Sequence, residues 1–448
     1  MSFFSRKIAD PMMINPGDHE IKRKKGYPVS VRKEKERCLL VALDYAESYI
    51  GETEKNLDEL SRLIETAGGN PVARITQSLR QSDPLTFVHR GKLDEIKNLS
   101  DQYSIDTIVF DEELTPVQIK NIEKAMNIKI IDRTELILTI FSNNAKSRLS
   151  KLQIELAKLE YTLPRLQRMW THLSRQKGGI GLKGPGERQI ELDRRLLLKR
   201  MTKIKRDLSA IKQGIDIRRQ KRRDEYRVSL VGYTNSGKST LLSQLSSAPV
   251  YCEDKLFSTL DTLIRKVQLN DRRHILISDT VGFIRKLPHQ LVESFYATLS
   301  EVLNSDMILT VIDISQSDFI KRAEVVLSVL HDIGADRIPN SFVLNKMDLL
   351  DENTLAEKIK SFEGFDKNPL ILSALKNRKI EPLKNEILKR IRADEYLLSL
   401  KVDSRRKDII NRIFLVCEVI SLEERDTWFI IQCYAKREYA QELKGFQV

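Results

Sequence analysis

Residues 226–245 contain the motif with the most specific chemistry in this chain. The segment YRVSLVGYTNSGKSTLLSQL reads as an apolar strand, a glycine turn and a helix, and GYTNSGKS has the G-x-x-x-x-G-K-[ST] spacing of a phosphate-binding loop. In such a loop the glycines let the backbone wrap around phosphates, the lysine reaches the β and γ oxygens, and the last hydroxyl ligates Mg²⁺. The predicted loop consists of Gly232, Tyr233, Thr234, Asn235, Ser236, Gly237, Lys238 and Ser239. We expect Lys238 to act in catalysis and Ser239 to hold the metal.

A second motif, NKMD at residues 345–348, indicates which base the site binds. A phosphate-binding loop alone fits ATP as well as GTP, but the Asp348 carboxylate can accept hydrogen bonds from guanine N1 and from the exocyclic amine. Adenine offers no such pair of donors. We expect Asn345 to tie the base to neighbouring loops and the stem of Lys346 to cover it. The remaining candidates are Met347 and, in the segment LILSAL, the backbone of Ser373, Ala374 and Leu375 near guanine O6.

Two further segments have the composition of γ-phosphate sensors. In HILISDTVGF a strand ends at Asp279, which can hold Mg²⁺ through water, and Gly282 can offer its backbone N–H to the γ-phosphate. In LFSTLD, Thr259 is the predicted second metal ligand, and we rank Ser258 and Thr262 below it. The predicted nucleotide contacts in LFSTLD are Phe257, Ser258, Thr259, Leu260 and Asp261. Those in HILISDTVGF are Asp279, Thr280, Val281 and Gly282. We expect Thr259 and Gly282 to be catalytic.

Phe283 stands where small GTPases of the Ras type have the glutamine that orients the attacking water. A phenyl ring cannot orient water. We therefore expect slow intrinsic hydrolysis, with water positioned by another residue or by a bound partner.

Composition limits where the protein works and how many domains it has. The 448 residues predict about three domains. We find no apolar run of the length of a membrane span, and Arg6 and Lys7 interrupt the region where a signal peptide is apolar, which predicts a cytoplasmic protein without a membrane span. The four cysteines form no CxxC pair, so neither a zinc site nor a disulfide framework is indicated. We expect a monomer.

The positive charge is concentrated in one segment. The whole chain has a formal charge of +13, yet residues 145–227 alone contain 24 Lys and Arg against nine Asp and Glu. A localised basic stretch attracts polyanions through phosphate contacts and counterion release. A solvated helix face is an equally good interpretation of the charge alone.

The basic segment has the pattern of two helices joined by a glycine-rich loop. Leucines recur at heptad spacing from Leu149 to Leu166 and continue to Trp170, with Pro164 expected to kink the helix; a matching seam consists of Leu197, Met201, Ile204, Leu208, Ile211 and Ile215. These seams predict an antiparallel helical hairpin. The joining loop GGIGLKGPGE has five glycines from Gly178 to Gly186, flanked by basic residues. A flexible hinge explains them, but a basic glycine-rich tip is more typical of a probe for folded RNA.

Around this hairpin the pattern predicts an α/β protein in five parts. These are a basic arm at 1–35, an N-terminal α/β domain at 36–143, the hairpin at 144–224, a P-loop nucleotide domain at 225–393 and a small α+β appendage at 394–448. In the N-terminal domain Gly91 and Lys92 open a predicted helix, for which capping is a better explanation than an anion site.

The chain resembles the HflX family of ribosome-associated GTPases, within the broader Obg-like group of P-loop GTPases. Besides the motifs above, the resemblance rests on DEELTPVQIKNIE, IIDRTELILTIF, KLQIELAKLEYTLPRL, HLSRQKGGIG, GPGE and GFIRKLPHQLVESF. It implies a GTPase domain with Mg²⁺ as cofactor and GTP as substrate. It also implies binding to the large (50S) ribosomal subunit and its rRNA, with a role in splitting or rescuing stalled ribosomes or in ribosome biogenesis, and a glycine tip directed toward rRNA.

Three residues depart from that family pattern. Arg188 replaces a usual Thr in GPGETQ, Thr262 replaces a usual Pro, and Leu375 replaces a Lys. None of them touches the phosphate chemistry. Two alternatives to a ribosome-binding GTPase are an ATP-using P-loop enzyme, which NKMD disfavours, and an RNA-binding protein whose nucleotide domain is only a structural switch.

Overall fold

A computed structural model describes residues 35–45, 51–169, 185–220, 225–246, 256–257, 261–270, 273–286, 301–377, 379–393, 395–425 and 427–448. It divides the chain into two compact units, one formed by Met1–Asn143 with Ala157–Met201 and the other by Asn144–Leu156 with Thr202–Val448. The predicted basic arm at 1–35 lies outside the described residues except for its last residue. Within the described ranges, every helix is too short or too polar to cross a membrane.

The first unit is built on a parallel four-stranded sheet. Its strands are β1 (Arg37–Tyr45), β2 (Asn70–Leu79), β3 (Thr107–Phe110) and β4 (Lys129–Asp132), in the order β2-β1-β3-β4. Six consecutive residues of β1, from Cys38 to Leu43, are buried, as expected for a parallel strand covered on both faces. The helices are α1 (Glu52–Ala67), α2 (Arg90–Gln102), α3 (Pro116–Met126) and α4 (Arg133–Asn144). The predicted N-terminal α/β architecture is therefore confirmed.

Local signals explain where two of these helices begin. α3 begins with a capping box between Thr115 and Gln118, followed by a proline at the first helical position. In the first turn of α2, the Lys92 ammonium lies 2.6 Å from the Glu95 carboxylate. An ion pair along the helix surface agrees better with the ordinary helix-start interpretation of Gly91 and Lys92 than with an anion site.

The two helices of the basic segment are α5 (Arg148–Met169) and α6 (Pro185–Gln220). In α6 the predicted seam is buried at Met201, Ile204 and Leu208. In α5 the predicted leucine seam is buried at Leu156, whereas Leu149, Leu152, Leu159, Leu163 and Leu166 are half-buried. A second face, formed by Ser150, Gln153, Ile154, Ala157 and Tyr161, is fully buried. Trp170 and the tip from Gly178 to Gly184 lie outside the described residues.

Polar contacts explain why α5 buries that other face. The Tyr161 hydroxyl donates to Asp132 Oδ1 over 2.9 Å, and the Arg165 guanidinium lies 3.4 Å from the Tyr161 ring centroid and 3.2 Å from Asp132 Oδ2. A carboxylate this deeply buried requires such partners. The rule of apolar periodicity missed the face because its members include a serine, a glutamine and a tyrosine.

The second unit contains a six-stranded sheet that carries the predicted nucleotide motifs. Its elements are β5 (Arg227–Gly232), α7 (Lys238–Ser246), β6 (Leu263–Asn270), β7 (Arg273–Asp279), β8 (Met307–Asp313), α8 (Phe319–Asp332), β9 (Asn340–Asn345), α9 (Glu352–Phe362), β10 (Leu370–Ile371) and α10 (Ile380–Ala393). The strand order is β10-β9-β8-β5-β7-β6, and only the β6–β7 pair is antiparallel. Four parallel strands therefore end at one edge, at Gly232, Asp279, Asp313 and Asn345, where open α/β sheets bind ligands.

The C-terminal part of the second unit is the predicted α+β appendage. It consists of β11 (Tyr396–Asp403), α11 (Lys407–Val416), β12 (Glu418–Arg425), β13 (Trp428–Ala435) and α12 (Arg437–Glu442), with an antiparallel sheet ordered β11-β13-β12. Arg273 at the start of β7 pairs with Glu395 at 2.6 Å and with Glu418 at 3.2 Å. This buried cluster joins the appendage to the six-stranded sheet.

A buried carboxyl group in the first unit predicts pH-dependent stability. Burial raises the pKa of Glu135 from 4.5 to about 7, and the nearby charge of Asp132 raises it further. Because the folded-state pKa is raised, this stabilising contribution is complete below the unfolded value and is lost as the pH rises through about 7. We expect Glu135→Gln to be more stable than the wild type by about 1 to 3 kcal/mol at about pH 8, and by much less at about pH 5.

Thermal unfolding of the full chain at the two pH values measures this difference. Glu65→Gln, at an exposed carboxylate of α1, is the control and should show no such pH-dependent gain. A Glu135→Gln variant whose Tm difference from the wild type is the same at both pH values would contradict the prediction.

Candidate nucleotide-binding site

The phosphate-binding loop runs from the end of β5 to the start of α7, and two of its glycines have no room for a side chain. Gly237 has φ 95°, and a Cβ there would lie 2.2 Å from Asn345 Nδ2. A Cβ at Gly232, with φ 153°, would lie 2.2 Å from the carbonyl oxygen of Val311. The close approach of β8 and β9 to the loop thus requires glycine at both positions.

Lys238 begins α7 and its ammonium is buried in the loop. Its Nζ donates to the carbonyl oxygens of Gly232 at 3.0 Å and Tyr233 at 2.9 Å. Burial lowers the pKa of Lys238 to about 8, and the charge of Asp279 opposes that shift. A desolvated ammonium of this kind gains interaction energy from phosphate oxygens.

The residues around the loop fit a nucleotide phosphate and a hard divalent cation. The Ser239 hydroxyl donates to Asp279 Oδ2 over 2.6 Å, so a hydroxyl at the start of α7 and a carboxylate at the end of β7 lie together. Oxygen ligands of this type are those that Mg²⁺ prefers. Among the described residues, the buried hydroxyl oxygens of Thr234 and Ser236 have no hydrogen-bond partner in the protein, as expected of groups that line a polar ligand site.

Gly282 and Phe283 pass directly over the phosphate-binding loop. The Thr234 amide donates to the Phe283 carbonyl at 2.7 Å, and the Phe283 amide donates to the Gly232 carbonyl at 3.0 Å. A Cβ at Gly282 would lie 3.0 Å from Lys238 Nζ. The Phe283 side chain is only 2% exposed and packs in a core cluster with Val231 and Ile308. Its ring is therefore directed into the protein, away from solvent.

The base-binding motifs meet the loop through one side chain. Asn345 Nδ2 donates to the Ser236 carbonyl at 2.9 Å, while Asn345 Oδ1 accepts from the Ala374 amide at 2.9 Å. Asp348 lies in a 3-10 turn, Met347–Leu349, after Lys346, whose φ is 66° and whose ammonium lies 2.9 Å from Asp313. Asn345 thus joins three segments that are distant in the sequence. Ser373 and Ala374 are buried beside it, whereas Leu375 is 73% exposed.

A cluster around Tyr233 was not predicted from the sequence. The Tyr233 hydroxyl accepts from the Arg285 amide at 2.8 Å, and the Arg322 guanidinium lies 4.8 Å from the Tyr233 ring centroid. Asp318 pairs with both arginines, at 2.6 Å and 2.9 Å. The side chain of Tyr233 therefore contacts the segment after Gly282. The charged residues in DFIKR and FIRK were the available signal, but they do not specify which residues meet.

The segment that contains Thr259, the predicted second metal ligand, is described only at its two ends. Ser258, Thr259 and Leu260 lie outside the described residues. The Phe257 carbonyl accepts from Asn144 Nδ2 at 2.8 Å, and the Asp261 carboxylate accepts from the backbone amides of Lys146 and Ser147. Burial raises the pKa of Asp261, but hydrogen bonds from Ser147 and Ser150 outweigh burial and hold it below the usual range. Asp261, predicted as a nucleotide contact, thus binds the start of α5 through its side chain.

Three family models match consecutive parts of the chain. They are described as GTP-binding GTPase N-terminal, matching residues 54–142, GTP-binding GTPase Middle Region, matching 144–222, and 50S ribosome-binding GTPase, matching 227–346. The last of them contains the phosphate-binding loop and ends within NKMD.

Several relatives share the name GTPase HflX. The GTPase HflX of Flavobacterium psychrophilum is 49% identical over 65% of this chain and 70% of its own length, and that of Escherichia coli is 43% identical over 66% and 70%. The GTPase HflX of Chlamydia pneumoniae is 36% identical over 88% of this chain and 84% of its own. The chain belongs to the HflX family of GTPases. It is therefore a GTP-binding and GTP-hydrolysing enzyme, and the resemblance noted in the sequence is confirmed.

Among the solved structures that align with most of the chain is one from an archaeon. It is a GTP-binding protein from the archaeon Sulfolobus solfataricus in complex with GDP, 26% identical, with a TM-score of 0.43 over 79% of this chain and 98% of that one.

Proposed function

We propose that this HflX-family GTPase binds the large ribosomal subunit in its GTP state and acts in splitting or rescue of stalled ribosomes or in ribosome biogenesis. The observation that carries the proposal is the charged surface of α6. This helix is 36 residues long, and its seam at Met201, Ile204 and Leu208 is buried. Exposed basic residues on the helix around this seam include Lys199, Arg200, Lys203, Lys205, Arg206 and Lys212. A rigid basic face of this length suits a track of rRNA phosphates.

The nucleotide would be held by the residues predicted from the motifs. In this assignment Lys238 binds the β and γ oxygens, Gly282 donates its backbone N–H to the γ-phosphate, and Asp348 accepts from the guanine edge. Ser239 and Thr259 would hold Mg²⁺ directly, with Asp279 acting through water. When bound, the cation neutralises charge on the phosphate oxygens. The hydrogen bond between Ser239 and Asp279 and the two buried hydroxyls of the loop support this assignment.

Partner binding and GTP binding should be separable. Deleting residues 178–186, the glycine-rich tip, is expected to abolish sedimentation with large subunits in the presence of a non-hydrolysable GTP analogue, while GTP affinity stays within about 2-fold of wild type. Reversing Lys199, Lys203 and Arg206 to glutamate should weaken association, and the slope of log K against log salt should fall by roughly 0.7 to 0.9 for each phosphate that the variant no longer neutralises.

A matched reversal tests whether the location of the charge matters. Lys97, Lys124 and Lys367 are exposed lysines outside the basic segment, and changing them to glutamate alters the net charge by the same amount. We expect this control to keep most of the association. A tip-deleted protein that still sediments with large subunits would show that another surface, such as the basic arm or the nucleotide domain, carries the interaction.

A further inference from the structure

The segment that begins at Gly282 lies along the phosphate-binding loop. Phe283 exchanges backbone hydrogen bonds with Gly232 and Thr234. A Cβ at Gly282 would lie 2.8 Å from the Thr234 Cα and 3.0 Å from Lys238 Nζ. The Gly282 backbone therefore lies directly against the lysine that is assigned to the β and γ oxygens.

One side chain of the loop attaches this segment at a second point. The Tyr233 hydroxyl accepts from the Arg285 amide at 2.8 Å, and Tyr233 is only 2% exposed. This contact lies two residues beyond Phe283, whose backbone makes the first attachment. A segment that is attached at two points has fewer accessible positions than one attached at a single point.

A buried ion-pair cluster contacts the same tyrosine and the same arginine. Asp318 is the N-terminal capping residue of α8, where a carboxylate commonly accepts from helix amides, yet within the described part of the chain its side chain makes no such bond. It pairs instead with the Arg285 guanidinium at 2.6 Å and with that of Arg322 at 2.9 Å. The Arg322 guanidinium lies 4.8 Å from the Tyr233 ring centroid, within the range of a cation–π contact. These four residues form a closed ring of contacts between the loop, the segment after Gly282 and α8.

The cluster is shielded from solvent, which restricts its geometry. The side chains of Arg285 and Asp318 are 12% and 6% exposed. Charges that are buried to this degree require oppositely charged partners at hydrogen-bonding distance, so the Arg285 side chain has few alternative positions. Arg285 is therefore held through its backbone by Tyr233 and through its side chain by Asp318.

We propose that Tyr233 is a positioning residue for recognition of the γ-phosphate, supported by Asp318 and Arg322. By holding Arg285, Tyr233 keeps the Gly282 amide in place for the third phosphate of GTP. The protein then distinguishes GTP from GDP partly through a side chain that does not itself contact the phosphate. This inference rests on the proposed role of Gly282. The effect is one of preorganisation, because an amide that is already in place loses less conformational freedom when it binds.

Affinities of the full-length protein for GDP and for a non-hydrolysable GTP analogue, both at saturating Mg²⁺, test the proposal. Tyr233→Phe removes the hydroxyl but keeps the ring, and it should lower affinity for the analogue by about 3- to 10-fold, the range of one hydrogen bond. Asp318→Asn should lower it by about 10-fold or more, because two buried guanidinium groups lose their charged partner. GDP affinity should stay within about 2-fold of the wild type in both variants, because GDP has no γ-phosphate.

Tyr226→Phe is the matched control. Tyr226 flanks the opposite end of β5, is also buried, and has the Lys436 ammonium 5.4 Å from its ring centroid. This variant should leave the ratio of the two affinities unchanged. A ratio in Tyr233→Phe that equals or exceeds that of the wild type would overturn the positioning role, and so would an equal loss of both affinities. If Asp318→Asn does not fold, Tyr233→Phe decides alone.

Gly282→Ala separates the inference from the assignment on which it rests. Its Cβ would meet Lys238 and the Thr234 backbone, so this variant should bind the analogue more weakly relative to GDP. An unchanged ratio in Gly282→Ala would refute the proposed role of Gly282 itself. A reduced ratio in Gly282→Ala together with a wild-type ratio in Tyr233→Phe would refute only the inference about Tyr233.

Discussion

Asp348→Asn should shift the preference of the protein from GTP to xanthosine triphosphate. The Asp348 carboxylate is expected to accept from guanine N1 and from the exocyclic amine. An asparagine accepts from N1 but presents an amide donor to the second position, where xanthine has a carbonyl oxygen instead of an amine. The variant loses one charge-assisted hydrogen bond to GTP, and its amide donor faces the exocyclic amine of guanine, which is also a donor. GTP affinity should therefore fall by about 100-fold or more. Affinity for xanthosine triphosphate should rise by a comparable factor.

Displacement of a fluorescent guanine nucleotide from the full-length protein measures both affinities at the same site. Asp351→Asn is a closely matched control, because Asp351 lies three residues further on and caps α9 by accepting from the Thr354 amide. That variant should keep the preference for GTP. Equal displacement by ATP and GTP in the wild type, or an unchanged preference in Asp348→Asn, would show that Asp348 does not recognise the guanine base.

The second large effect concerns the rate of hydrolysis. The Phe283 ring is packed against Val231 and Ile308, so this position supplies no polar group to orient the attacking water. We expect the protein alone to hydrolyse GTP slowly and to accelerate by roughly 10³ to 10⁵ on adding large ribosomal subunits, the range that positioning and one added positive charge supply in other GTPases. Multiple-turnover phosphate release with large subunits, and with small subunits as the control, measures the factor.

Phe283→Gln tests whether hydrolysis is slow because position 283 is directed into the core or only because its side chain is not glutamine. Because the side chain is directed into the core, Phe283→Gln should lower stability, by burying an amide without partners, and should leave the intrinsic rate low. Rapid turnover by the wild type without subunits, or a faster intrinsic rate in Phe283→Gln, would contradict the prediction. His289, which lies outside the described residues, is the alternative water-positioning residue, and His289→Ala in the presence of subunits tests it.

The sequence alone determined the chemistry of the nucleotide site and the order of the parts. GYTNSGKS and NKMD are short motifs whose function depends on residue type at fixed spacing, so they can be recognised without knowing the fold. Strand β5 was also predicted, because it directly precedes the glycine turn of the motif. The heptad spacing of α6 likewise predicted the burial of Met201, Ile204 and Leu208, whereas its other seam residues are half-buried.

The tertiary structure decided which distant residues meet. Asn345 joins Ser236 and Ala374, and Asp261 meets Ser150, through contacts that span from 29 to 111 residues. Periodicity also missed the most buried face of α5, because the Asp132 carboxylate could be buried only with hydrogen bonds from Tyr161 and Arg165. Spacing rules describe a residue by its neighbours in the chain, whereas a buried polar group is satisfied by whichever partner the fold brings within hydrogen-bonding distance.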